Sequence, residues 1–217
     1  MTFSSCLTDD DSALVLDASV VINLLATGQP IPILKALARP IVVADNVIRE
    51  IERGAVNGRH EFDLLTHMID GRVVGVAELE GDALEIFFEL VSGSSSESLG
   101  DGEAATLAFA HRMGCLAAID EKKATRLAAE RFESLKIVTT VDILAHDTVQ
   151  TSLGDARLAN ATLRALQLTR MQVREHQFDW IARVIGAENV EACSSLRRIA
   201  KRLAGAPNEL TRAVAEY

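Results

Sequence analysis

With 217 residues, 48% of them hydrophobic, the chain is long enough for one generous domain or a domain with an appendage, and too apolar for global disorder. A formal net charge of -9 argues against a basic, sequence-independent nucleic-acid surface over the whole protein. Its apolar runs fall far below membrane-spanning length, so no membrane partner is expected.

Residues 1–12 carry Asp9, Asp10 and Asp11 and no basic residue, which is wrong for a signal peptide, and they read as a frayed acidic leader. Cys6, Cys115 and Cys193 are odd in number and lack metal spacing, as expected of reduced thiols in a cytoplasmic protein. Leu14-Val15-Leu16 has the composition of a short buried strand, and Asp17 stands at its end. The period then becomes helical through Val20, Val21, Leu24 and Leu25, with Ser19 as a candidate N-cap, until Thr27-Gly28-Gln29-Pro30 breaks it.

Residues 31–38 read as a short helix and 40–43 as a strand. Asp45 or Asn46 can cap a helix to Arg53, ended by Gly54. A helix over 61–69, a strand over 72–76 and a helix over 81–91 follow. Residues 92–96 read as a serine-rich flexible loop. An amphipathic helix over 102–113 is broken by Gly114, a buried strand covers 115–119, a helix 121–131 and a strand 136–138. Alternating strands and helices predict an α/β fold with a mainly parallel sheet covered on both faces. Beyond about residue 141 only helices are predicted, over 141–150, 155–167, 172–185 and 190–203. The best boundary lies near Ser152-Leu153-Gly154, separating a domain at 13–150 from a helical extension at 151–217.

Acidic residues gather where strands end. Asp17 closes the first strand and Asp120 the strand 115–119; in a right-handed parallel sheet both carboxyl ends can share one edge. Glu103 shares a helix face with Leu107 and Ala110, so its carboxylate is directed inward and needs a partner. Glu50 and Glu52 flank the stripe Ala44, Val47, Ile48 and Ile51, and geometry alone does not choose between them. Singly, each acid reads as a helix cap or a solvated charge. As a set they are a poor structural choice, since like charges raise one another's pKa, and a good site for Mg²⁺ or Mn²⁺.

Other chemistries fit less well. A haloacid-type phosphatase needs a second Asp two residues after the first, where Ser19 stands. Gly100-Asp101-Gly102 is too short to cradle a phosphate. The five histidines show no ligand spacing, and Ser19 lacks the nucleophile-elbow signature of a hydrolase.

Four stretches resemble the PIN-domain ribonucleases, the family that includes VapC-type toxins: Leu14 to Asn23 around Asp17, Val47 to Gly54 around Glu50, Gly100 to Ala105 around Glu103, and Ala117 to Ala124 around Asp120. The resemblance covers about residues 13–150 and implies a three-layer α/β/α fold. It favours Glu50 over Glu52 and implies that Asp17, Glu50, Glu103 and Asp120 hold Mg²⁺ or Mn²⁺. Ser19 and Asn23 become polar helpers, RNA the substrate, and hydrolysis of RNA phosphodiester bonds the reaction. It further implies the toxin of a toxin–antitoxin pair, with an antitoxin partner and a homodimer. The alternative is a non-catalytic member that binds RNA or protein. Many relatives carry Asp where Glu103 stands, and compact members end soon after the fourth acid.

The helical extension differs in charge. Residues 157–217 hold 10 Lys+Arg against 6 Asp+Glu, a net +4, while the rest of the chain nets -13. Arg197, Arg198, Lys201 and Arg202 fall on one helical face, expected to contact RNA or an acidic partner beside the active-site edge. The alternative expectation is that the extension covers the last strand or builds a dimer interface through Phe178, Trp180, Ile181 and Ile185.

Overall fold

The computed structural model describes residues 3–8, 12–55, 60–94 and 97–205. Residues 1–2 and 9–11 of the expected leader, Ser95 and Ser96 of the serine-rich loop, and the stretch 206–217 lie outside the described residues. Five strands, β1 (Leu14–Leu16), β2 (Ile41–Ala44), β3 (Gly75–Ala77), β4 (Leu116–Ala118) and β5 (Ile137–Val138), form an all-parallel sheet in the order β3-β2-β1-β4-β5. Between them run α1 (Ala18–Ala26), α2 (Pro30–Ala36), α3 (Asp45–Ala55), α4 (Glu61–Asp70), α5 (Asp82–Val91), α6 (Asp101–Met113) and α7 (Lys122–Arg131). After the sheet come α8 (Thr140–Leu144), α9 (Asp147–Leu153), α10 (Asp155–Leu168), α11 (Phe178–Ile185) and α12 (Ser194–Gly205).

The three-layer arrangement follows from the two-residue period of the strands. Val15, Ala117 and Ile119 pack with Leu90 of α5, Ala104, Leu107 and Ala110 of α6, and Leu127 of α7. Leu14, Leu16, Leu116 and Ala118 face the opposite layer, where α1 and α8 to α12 lie. All three residues of β1 are buried, as a central strand covered on both sides requires. The second core runs without interruption from β1 into Leu158, Ala161 and Ala165 of α10 and Trp180 and Ile181 of α11.

This winding sets the position of the site. The chain moves from β1 outward through β2 to β3, then returns to place β4 and β5 on the other side of β1. The strand order therefore reverses between β1 and β4, where a crevice opens at the carboxyl ends. The register pairs Leu16 with Ala118, and the Asp17 amide donates to the Ala118 carbonyl at 3.1 Å. Asp17 and Asp120 are thereby brought to adjoining strand ends on one edge.

Several elements depart from the sequence reading. Asp17, not Ser19, caps α1, with an extended backbone and its side chain accepting from the Ser19 amide. The α3 helix passes through Gly54 to Ala55. The third strand starts late, because the Arg72, Val73 and Val74 amides are spent on the Ile69 and Met68 carbonyls that end α4. The predicted helix 141–150 is two helices, since His146 is extended and restarts the chain as α9. Met171 and Val173 are buried on either side of exposed Gln172, a strand-like period, so the predicted helix 172–185 begins only with a 3-10 turn at Glu175–Gln177. The helix expected from Val190 starts at Ser194, after a 3-10 turn at Ala187–Asn189.

Residues 3–8 are docked rather than frayed: Leu7 is buried, Phe3 packs edge-on against Trp180, and the Ser5 hydroxyl donates to the Asp142 carbonyl. Trp180, Ile181 and Ile185 are buried within the chain, so they cannot also supply the dimer face considered from sequence. No helix among the described residues is long and apolar enough to cross a membrane.

Candidate metal centre

The crevice between β1 and β4 is a cleft of about 560 Å³. Asp17, Glu50, Glu103 and Asp120 all line it, together with Ser19 and Asn23. Two further acids, Glu61 and Glu121, reach the same space, while Arg170 is the one cation among these lining residues. Among the described residues none of the four expected acids forms a salt bridge.

Each acid is held differently. Asp17 is buried at the start of α1, and its Oδ2 accepts from the Ser19 hydroxyl at 2.7 Å and the Ser19 amide at 3.2 Å. Its Oδ1 is buried with no hydrogen-bond partner, an expensive arrangement for a carboxylate. Glu50 lies largely exposed on α3 but carries its carboxylate to the N-terminus of α6, where the Gly102 amide bonds it. Glu103 uses Oε2 to accept from the Gly100 amide at 3.3 Å, capping the helix it stands on.

Asp120 is the most constrained. Its Oδ1 accepts from the Thr140 amide at 2.8 Å, and its Oδ2 from the Thr140 hydroxyl at 2.5 Å and Asn23 Nδ2 at 2.7 Å. Asn23 Oδ1 in turn accepts from the Thr169 hydroxyl, so the start of the loop after α10 braces the cleft. Ser19 and Asn23 are thus struts for Asp17 and Asp120 respectively.

All four carboxyls are raised, each chiefly by burial. Burial pushes Glu103 up to about 7, with the Asp17 charge adding to it and the Gly100 amide opposing. Burial raises Asp17, against the pull of Ser19 and Ala18, and Glu121 raises it further. Glu50 is raised by desolvation and then by Asp17, with Arg53 opposing. Asp120 is raised by burial, although Thr140 and Asn23 hydrogen bonds favour its charged form. Raised carboxyls clustered in one cleft are a mark of a functional site.

Gly102 has a definite role here. A Cβ at this position would stand 2.3 Å from Glu50 Oε2 and 3.5 Å from Asp17 Oδ1. The bare backbone therefore lets α6 approach both carboxylates, and the helix's positive N-terminal end faces them.

Among the described residues no three His, Cys, Asp or Glu side chains form a preassembled cage around one point. The donor set nonetheless fits a hard divalent cation, because Mg²⁺ keeps several waters and takes only one or two carboxylates. An all-oxygen set with an unpartnered Asp17 Oδ1 supplies those.

Sequence reasoning missed Thr140, Gly102, Glu61, Glu121, Thr169 and Arg170. Thr140 and Glu121 carried a signal, since one follows β5 as the acids follow their strands and the other adjoins Asp120. Thr169 carried none, lying 146 positions from its partner Asn23.

No curated protein matches the chain by sequence. A family model described as a PIN domain matches residues 13–186, which takes in the whole sheet, all four acids and the chain through α11. With that match over most of its length, the chain belongs to the PIN-domain family, whose members are generally nucleases.

Proposed function

We propose that the protein is a metal-dependent endoribonuclease whose centre is the acidic cleft at the ends of β1 and β4. The observation that carries the proposal is the convergence of six carboxylates on one cleft against a single lining cation, Arg170, with the buried Asp17 Oδ1 lacking any partner. Asp17 would hold Mg²⁺ or Mn²⁺ through its open Oδ1, with Glu50, Glu103 and Asp120 serving as a further ligand or holding the ion's waters. Such an ion supplies Lewis-acid polarisation of the phosphodiester and a hydrolytic water active at neutral pH. The chain's own part is to aim oxygens. Ser19 fixes the Asp17 carboxylate, Thr140 and Asn23 fix Asp120, and the N-terminus of α6 steadies Glu50. The direct test is cleavage of a labelled single-stranded RNA. Cutting in Mn²⁺ or Mg²⁺, lost in chelator and restored by added metal, is expected; cutting indifferent to chelator overturns the proposal.

Gly102→Ala separates site from scaffold. The new methyl group displaces the Glu50 carboxylate, the mobile end of a side chain, while alanine is the better helix former. Activity should fall about 10–100-fold, the range for disturbed metal-site supports, with the melting temperature unchanged or higher. Retained activity would remove Glu50 from the centre.

Thr140→Val keeps the shape of a fully buried side chain and deletes the hydroxyl on Asp120 Oδ2. Weakening the support of a buried carboxylate costs about 1–3 kcal/mol of stability, read as a lower melting temperature. Metal affinity should drop with it, and an unchanged Mn²⁺ half-saturation would show that Asp120 stands outside the centre.

A further inference from the structure

Beside the acidic cleft lies a second one of about 640 Å³ with the opposite charge. Lys122, Arg170, Arg198 and Arg202 line it, with Ser195 at its edge, and no carboxylate appears among its lining residues. Arg170 and Gln172 line both clefts, so the two adjoin. Among the described residues Lys122, Arg170 and Arg198 have no ion-pair partner, while Arg202 meets Glu175 at 3.1 Å. Ser195 is 6% exposed and its hydroxyl oxygen has no hydrogen-bond partner.

The chain has gone to some trouble to place these groups. Arg170 adopts a left-handed backbone at φ 57, unusual for a residue with a side chain. Its neighbour Thr169 is anchored to Asn23 in the acidic cleft, and Lys122 opens α7 two residues after Asp120. The cluster is therefore tied to the acid site from two directions. Of the face expected from sequence, only Arg198 and Arg202 line the cleft; Arg197 and Lys201, equally exposed, do not.

We infer that this second cleft is a phosphate-binding subsite that holds the backbone of a single-stranded RNA beside the bond lying over the acidic cleft. This rests on the nuclease reading for its substrate, though not for its test. Six carboxylates around the first cleft repel a polyanion, and screening in physiological salt confines compensation to charges within about 8 Å. Cations that adjoin the acidic cleft meet that need, whereas cations elsewhere on the surface do not. A concave arrangement of guanidinium and ammonium groups with a spare hydroxyl suits phosphate oxygens. An acidic protein segment would need the charges but not their place beside the acid cleft.

The experiment measures binding without turnover. The full chain carrying Asp17→Asn, in Mn²⁺, is titrated against a labelled single-stranded RNA of about twelve nucleotides, within the span that single-strand sites cover. Arg198→Gln with Arg202→Gln should weaken binding about tenfold and reduce the salt slope by about 1.4, at about 0.7 per phosphate contact. Arg197→Gln with Lys201→Gln removes the same charge off the cleft and should change affinity less than about twofold. Equal losses from both pairs would reduce the effect to net charge and overturn the subsite. No loss from the first pair, or displacement of the RNA by an equal concentration of a polyglutamate peptide, would also overturn it. Because no cleavage is read, failure here leaves the catalytic proposal standing, and loss of cleavage leaves this one standing.

Discussion

Asp17→Asn should abolish RNA cleavage, by at least about 10²–10³-fold, the loss typical when one aimed electrostatic group is removed from a reaction centre, while the protein stays folded. Asparagine is as good an N-cap as aspartate, so α1 keeps its first turn and the Ser19 amide keeps an acceptor. The substitution removes a buried charge that raises Glu50, Glu103 and Asp120 together. In chelator the melting temperature should therefore hold or rise, so lost activity cannot be laid to lost structure. A variant that cuts RNA as fast as the parent would place the chemistry elsewhere.

The second large effect is a stability that depends on pH and metal together. Burial raises the Glu103 carboxyl from 4.5 to about 7, so the folded state favours its neutral form. Between those values the folded protein binds more protons than the unfolded chain. Its stabilising contribution is complete below 4.5 and is lost as pH rises through about 7. The raised values of Asp17, Glu50 and Asp120 act in the same direction. In chelator the melting temperature should fall between about pH 5 and pH 7.5, and Glu103→Gln should flatten that fall. Saturating Mn²⁺ should cancel it, because the ion replaces the proton and binds the ionised form. Parallel pH profiles for the parent and Glu103→Gln would contradict the coupling.

The parts of the fold and site that are legible in the sequence are those specified locally. Leu14-Val15-Leu16 before Asp17, and Leu116 to Ile119 before Asp120, announce buried strands ending in acid, and the sheet brings those ends together. Glu103 is readable because its helix face is apolar apart from it. The break between α8 and α9 is not readable, because Val141 to Gln150 has helical periodicity throughout and His146 takes its extended backbone only in its buried tertiary setting. The stretch Met171 to Arg174 is misleading for a related reason. Arg174 donates to Thr125 of α7, 49 positions away, a contact that the local pattern does not announce. Bracing from Thr169 and the close approach of Gly102 to Glu50 are likewise properties of packing between remote segments.

The account turns on one ion-dependent centre that both binds metal and cuts RNA, so the most direct measurement follows the two in the same samples. Mn²⁺ is titrated into the metal-free protein, and the melting temperature and the cleavage rate of a single-stranded RNA are read at each concentration. Metal bound only by the folded state raises stability with the logarithm of one plus the ratio of free metal to its dissociation constant. The expected result is that both readouts respond with the same affinity in the parent and that neither responds in Asp17→Asn. Cleavage in the absence of metal, or a melting temperature unmoved while cleavage saturates, would contradict it.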